Sequence, residues 1–300
     1  MKLFIKILNI ILSIIGAITL LGILAIVIIA LIPQNNDQKL INEIKKNNYK
    51  YIEKVNIRKI KEKNDYNILN TACETGDIKT IEIIIKKYEK LPINFILSIA
   101  NYTETVIDYL LSNGIDINSF EEIKYGNIIE DLNTPLTFAI SNNSVSKFLY
   151  LINKGAKIDL GFPLHRAANI GNYEIFKYLI KTININQKNL KGETPIMSCL
   201  QPDGPHSFIN NGQLRILNLL LENNAEVSIL NNNNENLLHY AVKTNILIVQ
   251  KFLELGLDIN HKNNEGFYPI QMMDNPNDYN EDMYQFLLDN GSKKIELGNW

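Results

Sequence analysis

The sequence predicts an all-α protein: a stack of helix pairs built from a repeating unit, preceded by one N-terminal transmembrane helix. Three observations lead there. Residues 7–32 hold no Asp, Glu, Lys or Arg across 26 positions. From about residue 64 a short motif centred on Pro-Leu returns again and again. No spacing in the chain supplies a catalytic or metal-binding motif. The composition fits: 30 Lys+Arg against 32 Asp+Glu give a net charge of −2 over 300 residues, which leaves no global footprint for nucleic acid. Two cysteines can frame neither a disulfide scaffold nor a four-cysteine zinc site. The abundance of Asn, Ile and Lys reads as the mark of an AT-rich coding sequence rather than of function.

As a helix, residues 7–32 would reach roughly 39 Å at ~1.5 Å per residue, more than the ~30 Å of a hydrocarbon core. The run is too long for the apolar region of a cleaved signal, and Ala30-Leu31-Ile32-Pro33 makes a poor cleavage site. Residues 1–6 are then a short basic tail. Lys2 and Lys6 favour an exported soluble part, on the extracytoplasmic side, whereas Lys39, Lys45, Lys46 and Lys50 argue the reverse. Residues 33–63 read as a juxtamembrane helical segment or an N-terminal half-repeat cap. Between 38 and 63, nine Lys/Arg stand against three Glu: either a solvated face or a patch against anionic lipid.

The repeats occupy 64–300. Thr134-Pro135-Leu136-Thr137-Phe138-Ala139, Phe162-Pro163-Leu164-His165-Arg166-Ala167, Thr194-Pro195-Ile196-Met197-Ser198-Cys199 and Asn236-Leu237-Leu238-His239-Tyr240-Ala241 share one pattern. Weaker copies lie at Ile68-Leu69, at Ile96-Leu97 and, near the end, at Tyr268-Pro269-Ile270. The Leu/Ile position falls at 69, 97, 136, 164, 196, 238 and 270, in steps of 28, 39, 28, 32, 42 and 32. The short steps imply trimmed turns, and the long ones insertions near 119–133 and 201–211. Thr194 can cap a helix that Pro195 begins, and Gly76 and Gly171 suit the turn that ends an inner helix. One helix pair cannot bury its own apolar faces, so the pairs must stack.

This pattern resembles the ankyrin repeat, with its T-P-L-H-x-A signature and 33-residue period. About seven copies are in register, the last degenerate, since Met273 stands where Ala is expected. The added span is similar to membrane-anchored ankyrin-repeat proteins of bacteria. The resemblance implies a solenoid whose structural motif residues are Thr134, Pro135, Leu136, Pro163, Leu164, His165, Ala167, Gly171, Thr194, Pro195, Leu238, His239 and Ala241. It implies that His165 and His239 bond between repeats. It also implies a protein partner, read by the concave face at Arg166 and Tyr240. The turn tips would join in through Lys188, Asn189, Leu190, Lys191, Leu230, Asn231, Asn232, His261 and Lys262.

Chemistry is otherwise sparse. None of His165, His206, His239 and His261 stands at zinc-ligand spacing, so no metal and no cofactor is expected. Cys73 and Cys199 fall at small-residue positions and should be buried, inert thiols. The expected function is therefore a membrane-tethered, non-enzymatic module binding a protein partner. Alternatives are a structural, envelope-stabilising or self-associating membrane protein and, more remotely, a hydrolase that uses His206 in the 201–211 insertion.

Overall fold

A computed structural model describes residues 37–56, 65–201, 209–273 and 281–294. The 7–32 span and the His206 segment lie outside the described residues, as do 57–64 and 274–280. Among the described residues no helix is long and apolar enough to cross a membrane.

The chain divides into two compact units, Met1–Phe95 with Tyr102–Asn113, and Ile96–Asn101 with Gly114–Trp300. In the first, α1 (residues 37–45) and α2 (Tyr49–Lys54) precede α3 (Asp65–Glu74), α4 (Ile78–Ile85) and α6 (Glu104–Ser112), while α5 (Ile93–Leu97) runs across the boundary. The basic segment folds by its apolar stripe: Leu40, Ile44 and Ile52 are buried, and Lys39, Lys45, Lys46, Lys50 and Lys54 stay exposed. Asp77 caps α4 through the Thr80 N–H at 2.9 Å and accepts from the Tyr49 hydroxyl at 3.0 Å. Lys87 Nζ closes the end of α2 by donating to the Glu53 and Val55 carbonyls, both at 2.9 Å.

The second unit holds β1 (Glu121–Tyr125), β2 (Ile128–Asn133), α7 (Pro135–Ser141), α8 (Val145–Asn153), α9 (Pro163–Ile170), α10 (Tyr173–Leu179), α11 (Pro195–Cys199), α12 (Asn211–Glu222), α13 (Leu237–Ala241), α14 (Ile246–Glu254) and α15 (Glu281–Asp289). A 3-10 turn, Pro269–Met272, takes the inner-helix place in the last copy. Inner helices α7, α9, α11 and α13 pack on one another in order, and outer helices α8, α10 and α12 follow suit. Leu136, Leu164, Ile196, Leu238 and Ile270 are at most 2% exposed, and Ala139, Ala167, Cys199 and Ala241 are wholly enclosed where the helices come closest. Phe148, Phe176 and Phe252 fill the outer layer. Each such side chain contributes about 1.5–3 kcal/mol by leaving water.

The expectation of an all-α chain needs correction. The 119–133 insertion is an antiparallel hairpin, with Tyr125 opposite Ile128 across a two-residue turn in which Gly126 has φ +60°. A turn of this length with a left-handed first residue matches the strand twist, and glycine adopts it without a Cβ clash. A bulge lies between Ile123 and Lys124, where Glu130 is the extra residue on β2.

Asparagine does more here than the composition implies. Asn118, Asn186 and Asn260 each reach into the next repeat, accepting from the N–H of Lys157 (2.7 Å), Glu226 (2.9 Å) and Lys293 (2.9 Å). The triplets Asp116-Ile117-Asn118, Asn184-Ile185-Asn186 and Asp258-Ile259-Asn260 share one geometry, in which the first side chain accepts from the N–H of the third residue at 2.8–2.9 Å.

Candidate interaction site at the turn tips

Three turn tips are built identically. Asn189 Oδ1 accepts from the N–H of Lys191 and of Glu193 at 2.9 Å, shaping the loop from inside. Asn231 does this for Asn233 and Glu235, and Asn263 for Glu265 and Phe267. The tips then bond in series: the Asn232 N–H donates to the Lys191 carbonyl at 3.0 Å, and the Asn264 N–H to the Asn233 carbonyl at 2.9 Å. Gly192 allows this approach. At its φ of +74°, a Cβ would lie 2.7 Å from the Asn232 nitrogen.

The series stops at Leu190, because the repeat that begins at Pro163 has no tip. Its chain runs through Gly161 and Phe162, both left-handed, straight into α9. A Cβ at Gly161 would sit 2.8 Å from the Leu132 carbonyl of β2. The hairpin leans across the gap. Asp131 Oδ2 pairs with Arg166 Nη2 at 2.5 Å, Asn133 Oδ1 accepts from the same nitrogen at 3.2 Å, and Glu130 pairs with Lys191 at 2.9 Å. Between hairpin and tip lies a groove of about 280 Å³. Ile123, Glu130 and Asp131 form one wall, Asn189, Lys191 and Glu193 the other, and His165, Arg166, Asn169 and Gln201 line it as well.

Behind the groove is a polar cluster centred on Glu193, which is 9% exposed. Its carboxylate accepts from Asn189 Nδ2 (2.8 Å), Gln201 Nε2 (2.9 Å) and the Tyr240 hydroxyl (3.1 Å). Tyr240 Oη accepts in turn from Asn231 Nδ2 at 2.7 Å. Burial, with the nearby Glu193 and Glu235 charges, holds the Tyr240 phenol far above its usual range. The carboxylate therefore rests on neutral donors, with no cation paired to it among the described residues.

His165 Nε2 lies 2.9 Å from the Gln187 carbonyl and 3.0 Å from that of Glu193 in the next motif. The proton thus sits on Nε2, and Nδ1 is buried without a partner among the described residues. His239 differs: its Nδ1 lies 2.8 Å from Asn236 Oδ1 and 3.3 Å from the Asn236 N–H, and its Nε2 lies 3.3 Å from the Phe267 carbonyl. The cause is the capping residue, Asn236 in one motif and Phe162 in the other. Burial lowers the pKa of both histidines.

The residues expected to read a partner divide accordingly. Leu190 is exposed at 43%. Asn189, Asn231 and Tyr240 spend their polar atoms on the tips themselves. Arg166 and Lys191 are tied to the hairpin. Lys188 Nζ donates to the Leu230 carbonyl, Asn232 Nδ2 to the Leu190 carbonyl, and Lys262 lies 5.0 Å over the Tyr268 ring. His261 Nε2 meets the Asn234 carbonyl at 2.9 Å. Sequence reasoning misses the hairpin side chains: Tyr125 is 79% exposed, Ile128 69% and Phe120 48%. The signal for them is Gly126-Asn127 between two runs rich in Ile and Tyr.

Cys73 and Cys199 are both buried. Burial pushes the Cys73 thiol up to about 12 and the Cys199 thiol higher still. Among the described residues no group of three or more His, Cys, Asp or Glu could hold a metal ion.

Comparison with known proteins agrees with this geometry. The ankyrin-repeat family model matches residues 162–190. The chain is 29% identical over 240 residues to the putative ankyrin repeat protein L371 of Acanthamoeba polyphaga mimivirus, covering 74% of this chain and 29% of that protein. It is 29% identical over 166 residues to the putative ankyrin repeat protein FPV031 of fowlpox virus, covering 50% and 46%. Alpha-latrocrustotoxin-Lt1a of Latrodectus tredecimguttatus is 32% identical over 129 residues, covering 41% and 8%. The chain thus spans under half the length of each of these relatives. They come from viruses and a spider, so the bacterial source that the sequence suggests finds no support among them. The crystal structure of the human ASB11 ankyrin repeat domain superposes with a TM-score of 0.50 at 19% identity, covering 76% of this chain and 99% of that one. Motif, stacking and superposition together show that this chain has the ankyrin-repeat fold, and the family model places one such repeat at residues 162–190.

Proposed function

We propose that the chain is a membrane-tethered, non-enzymatic module that holds a protein partner on the face carrying its turn tips. One observation carries the reading: large apolar side chains stand in solvent on the hairpin and the neighbouring tip, with Tyr125, Ile128 and Leu190 at 79%, 69% and 43% exposure, and a polar groove lies between those two elements. Exposed apolar area rimmed by charge is the usual mark of a contact surface. In this reading Arg166, Lys191, Leu230, Asn232, His261 and Lys262 are contact residues of that face, and Asn189, Asn231 and Tyr240 brace it through their bonds to Glu193 and to one another. The hairpin also favours a second reading, self-association, since among the described residues its two strands pair with each other and with no further strand.

A photo-crosslinking amino acid placed at Tyr125, Leu190 or Lys262 tests the site in cells, with Leu247 on an outer helix as control. Adducts from the first three positions support the face, and adducts from Leu247 alone refute it. Adducts that all consist of the chain's own mass select self-association. The tether rests on the uncharged run 7–32. A cysteine at Tyr125 in a Cys73→Ser, Cys199→Ser background, labelled on intact cells with an impermeant maleimide, tests the proposed extracytoplasmic placement. Labelling only after lysis reverses it.

A further inference from the structure

Each tip passes one backbone hydrogen bond to the tip before it, from its second residue to the third residue of its predecessor: Asn264 to Asn233, and Asn232 to Lys191. The next donor in that series is the Leu190 N–H. It has no acceptor among the described residues, because the tip that would supply one is missing. The groove beside β2 is lined by Asn189 and Lys191, the residues on either side of Leu190, and by Glu193.

Its charges are unequal. Of the carboxylates lining it, Glu130 is neutralised by Lys191 and Asp131 by Arg166, which leaves Glu193 with no cation among the described residues. Ile123 and Phe162 add apolar surface to the lining, and His165 is 5% exposed with an unpartnered Nδ1. The slot thus offers a carboxylate without a counter-ion among the described residues and two apolar side chains, next to the free backbone N–H of Leu190.

We infer that the vacant tip position is a docking slot for an extended, lysine- or arginine-bearing segment of a partner protein, whose backbone carbonyl accepts from the Leu190 N–H and whose cation meets Glu193. The partner completes the tip series that the short Pro163 repeat leaves open. The inference rests on the interaction reading above and narrows it to one place and one chemistry.

The test uses the full chain in detergent micelles and a fluorescein-labelled ten-residue peptide alternating lysine and valine. A glutamate–valine peptide is the control. In anisotropy titrations the basic peptide saturates and the acidic one does not. Glu193→Gln and Leu190→Pro each raise Kd by about tenfold or more, as expected for the loss of a hydrogen bond to a charged or backbone group in a desolvated site. Leu247→Ala leaves Kd unchanged. Binding of both peptides alike, of neither, or with Kd within twofold of wild type in both slot variants overturns the slot. Should Leu190→Pro unfold, hydrogen exchange at the wild-type Leu190 amide replaces it: the basic peptide must slow that exchange, and an unchanged rate overturns the inference. Crosslinking from Lys262, two tips away, separates the two proposals. Adducts there alongside a failed slot test leave the broader reading standing, and their absence removes it.

Discussion

Replacing Tyr240 by phenylalanine removes one hydroxyl and nothing else from the cluster behind the groove. That hydroxyl donates to Glu193 at 3.1 Å and accepts from Asn231 at 2.7 Å. The first bond goes to a buried carboxylate and is worth about 1.5–3 kcal/mol; the second joins neutral groups and is worth about 0.5–1.5 kcal/mol. Glu193 keeps two donors, and Asn231 Nδ2 keeps Glu235 as acceptor at 2.7 Å, so neither is left bare and the low ends of those ranges apply. The expected cost is about 2 kcal/mol. Urea denaturation followed by circular dichroism at 222 nm measures it. A double-mutant cycle with Glu193→Gln should return a coupling of about 1 kcal/mol or more, since the two side chains touch. A Tyr240→Phe protein within about 0.5 kcal/mol of wild type, uncoupled to Glu193, would refute the view that Tyr240 braces the tips.

Three further outcomes follow from the geometry. Thr134 and Thr137 cap α7 reciprocally, at 2.8 and 3.0 Å, whereas the Thr194 hydroxyl is buried without a partner among the described residues. Thr134→Val should therefore cost about 1–2 kcal/mol and Thr194→Val almost nothing in the same denaturation assay. The lowered pKa values of His165 and His239 make the fold weaker in acid. Unfolded histidines gain protons below about pH 6.5 while the folded ones resist, so the melting temperature should fall as pH drops from 7 toward 5, and less steeply in His239→Gln. Cys73 and Cys199 should ignore a thiol-specific disulfide reagent in the native protein and react fully in urea, which absorbance at 412 nm follows.

The inner-helix framework was legible because its rule is local. Proline at the start, Leu164 or Leu238 facing inward and Ala167 or Ala241 at the close approach need only one repeat to be recognised. The hairpin was harder to see. Glu121, Glu122, Ile123, Lys124 and Tyr125 lack clean alternation, and all five side chains are exposed, so no burial pattern marks them. The asparagines mislead for another reason. Counted as composition they look like coding bias, yet Asn189, Asn231 and Asn263 organise tips, and Asn118, Asn186 and Asn260 join repeats. Their work shows only when positions are compared across repeats. That Arg166 faces β2 rather than solvent depends on a pairing 35 residues away, which no local pattern encodes.

The bonds within the second unit differ in how they respond to salt. Tips and repeats are joined through amides and backbone groups that carry no net charge. The hairpin reaches Arg166 and Lys191 through ion pairs whose side chains are about a quarter to a half exposed. Screening shortens the reach of such charges from ~10 Å at 0.1 M salt to ~3 Å at 1 M, and it leaves amide bonds nearly untouched. Among the described residues of this unit, ionic strength thus acts on the hairpin: concentrated salt loosens this wall of the groove from Arg166 and Lys191 while the stack keeps its form.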